Sequence, residues 1–251
     1  MKKVFFAFAT LLIISSCKKS VDSPAQQPAN QKITKIEYQE PNYSSMRTIA
    51  YDDKGRISVF AFNNEMDEFT YPSSNSMLVK RKNKTTGELK STFEAVLNNA
   101  GAITSMKLTL PDGKVSEILT FTYNAEGYMT KMKDEYPLNG NVYDREYSWS
   151  NGNVVSGKYW YKGSHVYNYE VQYDVTKLTS VPETPFYRWP SYTLFGKTVR
   201  NPYTENKLFN ANGTLSSHYK FVQQYDALGR IVKITENDQI NNASGTYSYS
   251  Y

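Results

Sequence analysis

Cysteine is nearly absent: among 251 residues there is only Cys17. A single thiol excludes an intramolecular disulfide framework as the source of stability. Histidine is almost as scarce. His165 and His218 are the only two, and neither has a Cys, Asp or Glu at a spacing typical of a metal site on a helix or ribbon. No long stretch carries helical periodicity, which argues against a helical fold. The formal net charge of +5 comes with no basic run. The lysines lie among acids, as in Lys131, Lys133, Asp134 and Glu135, the pattern of a solvated face rather than of a nucleic-acid surface. Also missing are a nucleophile elbow, a phosphate loop and a paired-carboxylate motif, so no catalytic residue, metal ligand or cofactor is expected.

Long hydrophobic runs are missing as well, apart from the eleven residues Val4 to Ile14, too short to span a bilayer as a helix. Lys2 and Lys3 precede this run, and Ile14, Ser15, Ser16 and Cys17 follow it. Charged start, short apolar run and small residues make residues 1–16 a signal peptide. The aliphatic residue three places before the only cysteine resembles a bacterial lipoprotein signal, which implies cleavage before Cys17 and a lipid on the new N-terminus. Residues 17–31 are rich in Ser, Pro, Ala, Gln and Asn and read as a flexible tether. Lys18 and Lys19 stand where surface-exported lipoproteins of the Bacteroidetes type carry acids, so neither face of the outer membrane is singled out.

What the chain does have is tyrosine, 22 residues of it with 12 phenylalanines, and a recurring seven-residue pattern. A large apolar or aromatic residue is followed by Asp or Asn, two variable residues, Gly, one variable residue and an aliphatic residue. Copies begin at Tyr51, Leu97, Tyr123, Phe209 and Tyr225, with looser ones at Tyr71, Trp149 and Tyr173. The Asp or Asn caps local amides, and the fifth position requires the positive φ that Gly adopts without a Cβ clash. Each copy is thus predicted to be a hairpin turn closed by a Gly bulge, with Gly55, Gly101, Gly127, Gly213 and Gly229 at positive φ. Tighter turns such as Pro111-Asp112-Gly113 and Asn139-Gly140 alternate with these. The copies at Leu97, Tyr123 and Trp149 are 26 residues apart, or two strands and two turns per unit.

The copies YDDKGRI and YDALGRI look like the tyrosine-aspartate repeats of Rhs-type proteins. The whole arrangement over residues 32–251 resembles Bacteroidetes outer-membrane lipoproteins of unknown function with a porin-like β-meander. The segment Leu194-Phe195-Gly196-Lys197, followed by Arg200-Asn201-Pro202, is similar to a late insertion of that family. The expected fold is all-β: a single up-and-down meander of 14 to 17 strands, curled into a barrel or half-barrel.

Between Thr179 and Asn206 the meander is interrupted by Pro182, Pro185, Pro190 and Pro202, beside the aromatics Phe186, Tyr187, Trp189, Tyr192 and Phe195. Pro190 could open a short helix ending at Phe195 with Gly196 as its cap. The insertion either plugs the curled sheet or walls a ligand pocket. Tyr159, Trp160 and Tyr161 are consecutive, so at least one must point away from the core, and with Tyr187 and Trp189 they are the candidate ligand-binding aromatics. The functional expectation is a lipid-anchored binding or structural module for a glycan, a peptide or a partner protein. The alternatives are an envelope hydrolase with a site assembled across strands, and a porin-like pore, suggested by the terminal alternation Tyr247, Tyr249, Tyr251. Charges on both faces of strands such as Tyr128 to Tyr136 weigh against the pore.

Overall fold

A computed structural model of the protein describes residues 32–183 and 188–251. The expected signal peptide, Cys17 and the tether lie outside the described residues, as does Tyr187. Sixteen strands follow one another: β1 (Lys35–Glu40), β2 (Tyr43–Tyr51), β3 (Ile57–Phe62), β4 (Glu65–Ser73), β5 (Ser76–Asn83), β6 (Leu89–Leu97), β7 (Ile103–Thr109) and β8 (Val115–Tyr123). The second half comprises β9 (Met129–Tyr136), β10 (Asn141–Ser150), β11 (Asn153–Tyr161), β12 (Ser164–Tyr173), β13 (Tyr203–Asn210), β14 (Leu215–Tyr225), β15 (Ile231–Asp238) and β16 (Ser244–Ser250). Every strand pairs antiparallel with its sequence neighbours, and β1 also pairs with β16, so the meander closes into a barrel without a free edge.

Alternation along each strand sorts the side chains. Phe69 lies opposite Val79, Val79 opposite Phe93 and Phe93 opposite Leu108, so one apolar face runs inward around the barrel. Burying each such side chain contributes about 1.5 to 3 kcal/mol. The alternate positions face out and are mostly polar, with exposed apolar residues such as Val96, Val155 and Val222 among them. Glu94 pairs with Lys107 and Lys131 with Glu146 directly across neighbouring strands. Asp134, expected on an exposed face, instead points inward and is buried.

The seven-residue pattern marks one end of the barrel. A register shift falls immediately before Tyr51, Leu97, Tyr123, Trp149, Tyr173, Phe209 and Tyr225, so the bulge accompanies the pattern's first residue. All but the Phe209 copy connect an even strand to the following odd one, which places them together at the end where the chain enters and leaves the barrel. The five turn glycines have φ between 72° and 89°. In the first and last copies Asp52 and Asp226 each accept two turn amides, and Arg56 and Arg230 close back onto them at 2.8 and 2.6 Å.

The first aromatic of the pattern does more than pack. Tyr71 donates its hydroxyl to the carbonyl of Ile57, Tyr123 to Ile103, Tyr173 to Val154 and Tyr251 to Ile231, at 2.6 to 3.0 Å; Trp149 does the same to Met129 through its indole N–H. Each acceptor is the aliphatic residue that closes the preceding turn. Arg56 and Arg230 then stack on the rings of Tyr71 and Tyr251, 3.9 and 4.6 Å from the centroids. The series breaks at Leu97, whose side chain cannot donate, and again where the insertion intervenes: the hydroxyl of Tyr225 is buried without a hydrogen-bond partner, and the carbonyl of Tyr203 is taken instead by the Gln223 amide.

This contrast yields a paired test. Tyr123→Phe should lower stability by about 1 to 2 kcal/mol, because a carbonyl loses its donor inside the barrel. Tyr225→Phe, which removes an unpartnered hydroxyl, should be neutral or slightly stabilising. Urea unfolding followed by tryptophan fluorescence would measure both, and equal losses would contradict this account.

Candidate ligand site inside the barrel

The insertion between β12 and β13 enters from the end that carries the pattern turns and folds into the barrel. No helix forms among its described residues, in contrast to the expectation for Pro190 to Phe195. The Ser191 hydroxyl accepts the amides of Thr193 and Leu194, and the Gly196 amide bonds to Thr193, so the chain turns where a helix would have continued. Gly196 has φ 80°, and a Cβ there would stand 2.6 Å from the Tyr123 ring and 2.7 Å from the Gly127 carbonyl.

One half of the interior is filled by this segment. Trp189, 1% exposed, packs edge-on against Phe69 and Phe93 with centroids at 5.1 and 5.5 Å. Its indole N–H donates to Asp67 at 2.7 Å, and Arg81 donates to the same carboxylate through two bonds of 2.8 Å. Arg188 reaches Glu117 at 2.6 and 2.8 Å. Near this pair the Asp134 carboxyl is pushed up to about 6, by burial first and then by the neighbouring Glu117 charge. Trp189, a candidate ligand contact on sequence grounds, is therefore a plug residue, sealed by the rings around it.

The aromatic hairpin is also redistributed. Tyr159 points inward under the Arg145 guanidinium, Trp160 points outward and leans on His165, and Tyr161 donates its hydroxyl to Asn141. The three do not form one continuous face, because consecutive strand residues alternate. Among the described residues no group of His, Cys, Asp and Glu could hold a metal.

The other half of the interior is open. Ser180, which accepts the Ile231 amide at 2.8 Å and lies 2.6 Å from the Tyr251 hydroxyl, braces the insertion there. Beyond it a cavity of about 380 Å³ extends between β1–β2, β13–β16 and the insertion. Its walls include Tyr203, Phe221, Tyr247 and Tyr249, and its charged groups are Arg47, Glu183 and Glu236. The Glu183 side chain borders this cavity deep inside the barrel, and its Oε2 has no hydrogen-bond partner. Burial pushes its carboxyl up to about 8. Glu236 is also raised, by burial and then by Glu40 and Asp238 at the opposite end of the barrel.

These groups were not marked by any motif. Arg47 and Glu236 lie at inward strand positions beside Ile49 and Ile234, a signal that only the strand register makes visible. Glu183 lies in the irregular insertion, where no periodicity exists to read.

With this geometry the chain was compared with known proteins. A porin-like protein from Bacteroides uniformis superposes with a TM-score of 0.63 at 14% identity, over 87% of this chain and 96% of that one. A porin-like protein from Bacteroides vulgatus superposes with a TM-score of 0.53 at 10% identity, over 87% and 98%. The fold is the porin-like barrel. No family model and no curated protein matches the sequence.

Two expectations follow for this porin-like barrel. Gly196→Ala should cost about 2 to 4 kcal/mol from strain and collision together, against about 1 kcal/mol for Gly229→Ala, where φ is 76° but the space is open; denaturant midpoints would separate them. For Glu183, the folded carboxyl holds a proton between its ordinary 4.5 and about 8 that the unfolded one has released. Its contribution to stability therefore falls as pH rises through that window. Glu183→Gln should match the wild type near pH 4.5 and exceed it by on the order of 2 to 4 kcal/mol at pH 9, read as the difference between the two unfolding curves at each pH.

Proposed function

We propose that the protein is a lipid-anchored protein of the bacterial envelope that binds a small ligand inside a plugged barrel. The observation that carries this reading is the sorting of the two faces. The outward face bears lysine and glutamate pairs in mid-strand, such as Lys131 and Glu146, 62% and 48% exposed. A lysine or arginine facing lipid at the bilayer midplane costs about 2 to 4 kcal/mol each. Such a face suits water. The inward face is largely apolar and aromatic with a few buried charges such as Asp67 and Glu117, and the interior is divided between a packed plug and a cavity with polar groups aimed into it.

The pore reading draws on the porin-like fold. Against it stand the polar outer face and the insertion, whose Trp189 and Phe195 pack against barrel walls through Phe69, Phe93 and Phe121. Fold alone does not carry function from one barrel to another. A lipid on Cys17 would fit the same view, since an acyl chain contributes about 0.8 kcal/mol per buried methylene and would hold a water-facing barrel at a membrane. The tyrosine-aspartate repeats, read as Rhs-like, serve here as the turn and bulge units of the barrel.

In a cell labelled with palmitate, the wild-type chain should carry label and fractionate with membranes, and Cys17→Ser should lose both. Label retained by the variant would refute the anchor. Purified protein added to planar bilayers should give no conductance; stable ion-conducting steps would favour the pore.

A further inference from the structure

The interior treats its charges unequally. In the plugged half Asp67 is matched by Arg81 and Glu117 by Arg188, and Asp134, one of whose oxygens has no partner, accepts the Tyr136 hydroxyl through the other at 3.1 Å. The cavity of the other half is different. Arg47 on β2, Glu236 on β15 and Glu183 in the insertion all border the same space, and among the described residues none of the three has a salt-bridge partner or a side-chain hydrogen bond. All three are half-buried, and a charge held partly away from water without a partner is costly and persists where a ligand supplies what is missing. The two carboxylates and the guanidinium do not satisfy one another: no ion pair joins them. The nearby rim acids are otherwise engaged, Glu40 by the Tyr38 hydroxyl and Asp238 by the amides of its own turn.

The remaining walls define the body of the missing molecule. Tyr203, Phe221, Tyr247 and Tyr249 present rings, and Tyr203 and Phe221 lie 6.1 Å apart in a tilted pair. Rings of this kind accept apolar groups and the faces of cations. Asn206 and Gln223 add amides. At about 380 Å³ the space is at the lower end of small-molecule pockets, which span roughly 300 to 1,000 Å³. A ligand must therefore be compact, apolar in body, and carry charges of both signs.

We propose that the cavity binds a small zwitterion, a free amino acid or dipeptide with an aromatic or branched side chain. Its ammonium is held by Glu183, its carboxylate by Arg47, and its side chain by the ring walls, with Glu236 a second carboxylate bordering the same space. This assignment rests on the binding reading above and names its ligand class. The raised carboxyls of Glu183 and Glu236 supply a signature. Near pH 7 Glu183 holds its proton in the empty barrel, so an arriving ammonium should drive that proton out. The groups that face Glu183 are the Tyr173, Tyr203 and Tyr225 phenols, and those that face Glu236 are Glu40, Asp238, Tyr38, Tyr219 and Tyr247. None of the tyrosines titrates in this range.

The test is calorimetric titration of the purified full-length protein with L-leucyl-L-phenylalanine, L-tyrosine, tyramine, and 3-(4-hydroxyphenyl)propionate. A neutral probe of cavity occupancy, 2-naphthol, is added for comparison. At least one zwitterion should bind ten or more times tighter than tyramine or the propionate. Repeating the titration at pH 7 in buffers of different ionisation enthalpy should show proton release on zwitterion binding, a readout that needs no variant. Arg47→Gln should weaken the zwitterion at least tenfold and leave tyramine unchanged, and Glu183→Gln should weaken both while abolishing the proton release. Cooperative unfolding of each variant verifies that it is folded.

Tyramine binding as tightly as the zwitterions, or zwitterion binding indifferent to Arg47, Glu183 and Glu236 alike, would overturn the proposal. If 2-naphthol binds and is lost in Tyr203→Ala while no zwitterion binds or displaces it, the ligand class is wrong and the binding reading survives. If neither naphthol nor any zwitterion binds, both fall.

Discussion

A bulge gives each long turn of this barrel its bend, and at the same place interrupts the regular exchange of hydrogen bonds between strands. An aromatic donor one turn further on restores the balance, tyrosine four times and tryptophan once, by bonding the carbonyl of the aliphatic residue that closes the preceding turn. Five turns are thus tied to the next through a side chain, while Leu97 has no donor and the Tyr225 hydroxyl has no partner. Sixteen strands of 6 to 11 residues have little room for loose ends, and closure from β16 back to β1 requires every register to hold. The bond from Tyr251 to Ile231 belongs to the same series as those in the middle of the chain, so the last strand is fixed by the same device as the others. Arginine at the sixth position adds a second tie, binding its own turn's aspartate and covering the next tyrosine.

The insertion depends on this scaffold. Its backbone meets the turns of the same barrel end: the Ile103 amide donates to Leu194, Lys197 donates to Gly127, and Arg200 donates to Gly152. From that footing Trp189 reaches Asp67, and Arg188 reaches Glu117. Asp67 is wholly buried and serves two donors, Arg81 and the indole. A buried ion pair of this kind is weak evidence for stability, since desolvation offsets the attraction, but removing either partner strands a charge in the interior. The plug is thereby specified to one side of the barrel, and the cavity is what remains on the other.

Charge in that cavity follows the opposite logic. Glu183 has no partner and is raised to about 8 by burial, which lowers the stability of the empty fold above that pH range. A barrel built for stability alone would place an amide there. The same arrangement makes affinity for a cationic group and proton release two aspects of one equilibrium, because the group that charges the carboxylate must displace its proton. The outer surface carries Lys and Glu in facing pairs exposed to water, each worth less than about 1 kcal/mol, and their role is to make the outside polar.

Local chemistry determined much of this protein. Period-two alternation and the turn residues specified an all-β meander within the range of strands observed, and the glycines of the seven-residue pattern marked the turns because few other residues tolerate their φ. Strand ends were legible to within a residue where turn residues delimit them, as for Tyr128 to Tyr136, observed as Met129–Tyr136. Tertiary structure decided the rest. Whether the sheet closes depends on pairing between residues some 200 apart, such as Ile36 with Tyr249, and no local pattern encodes that. The tyrosine of the pattern looked like packing until its hydroxyl was placed against a carbonyl one turn back. Trp189 looked available for a ligand until the barrel surrounded it. Arg47, Glu183 and Glu236 are unremarkable charged residues in sequence, far apart along the chain. They share one cavity only because closure turns their strand faces and the insertion toward one space, where a charge without a partner is costly.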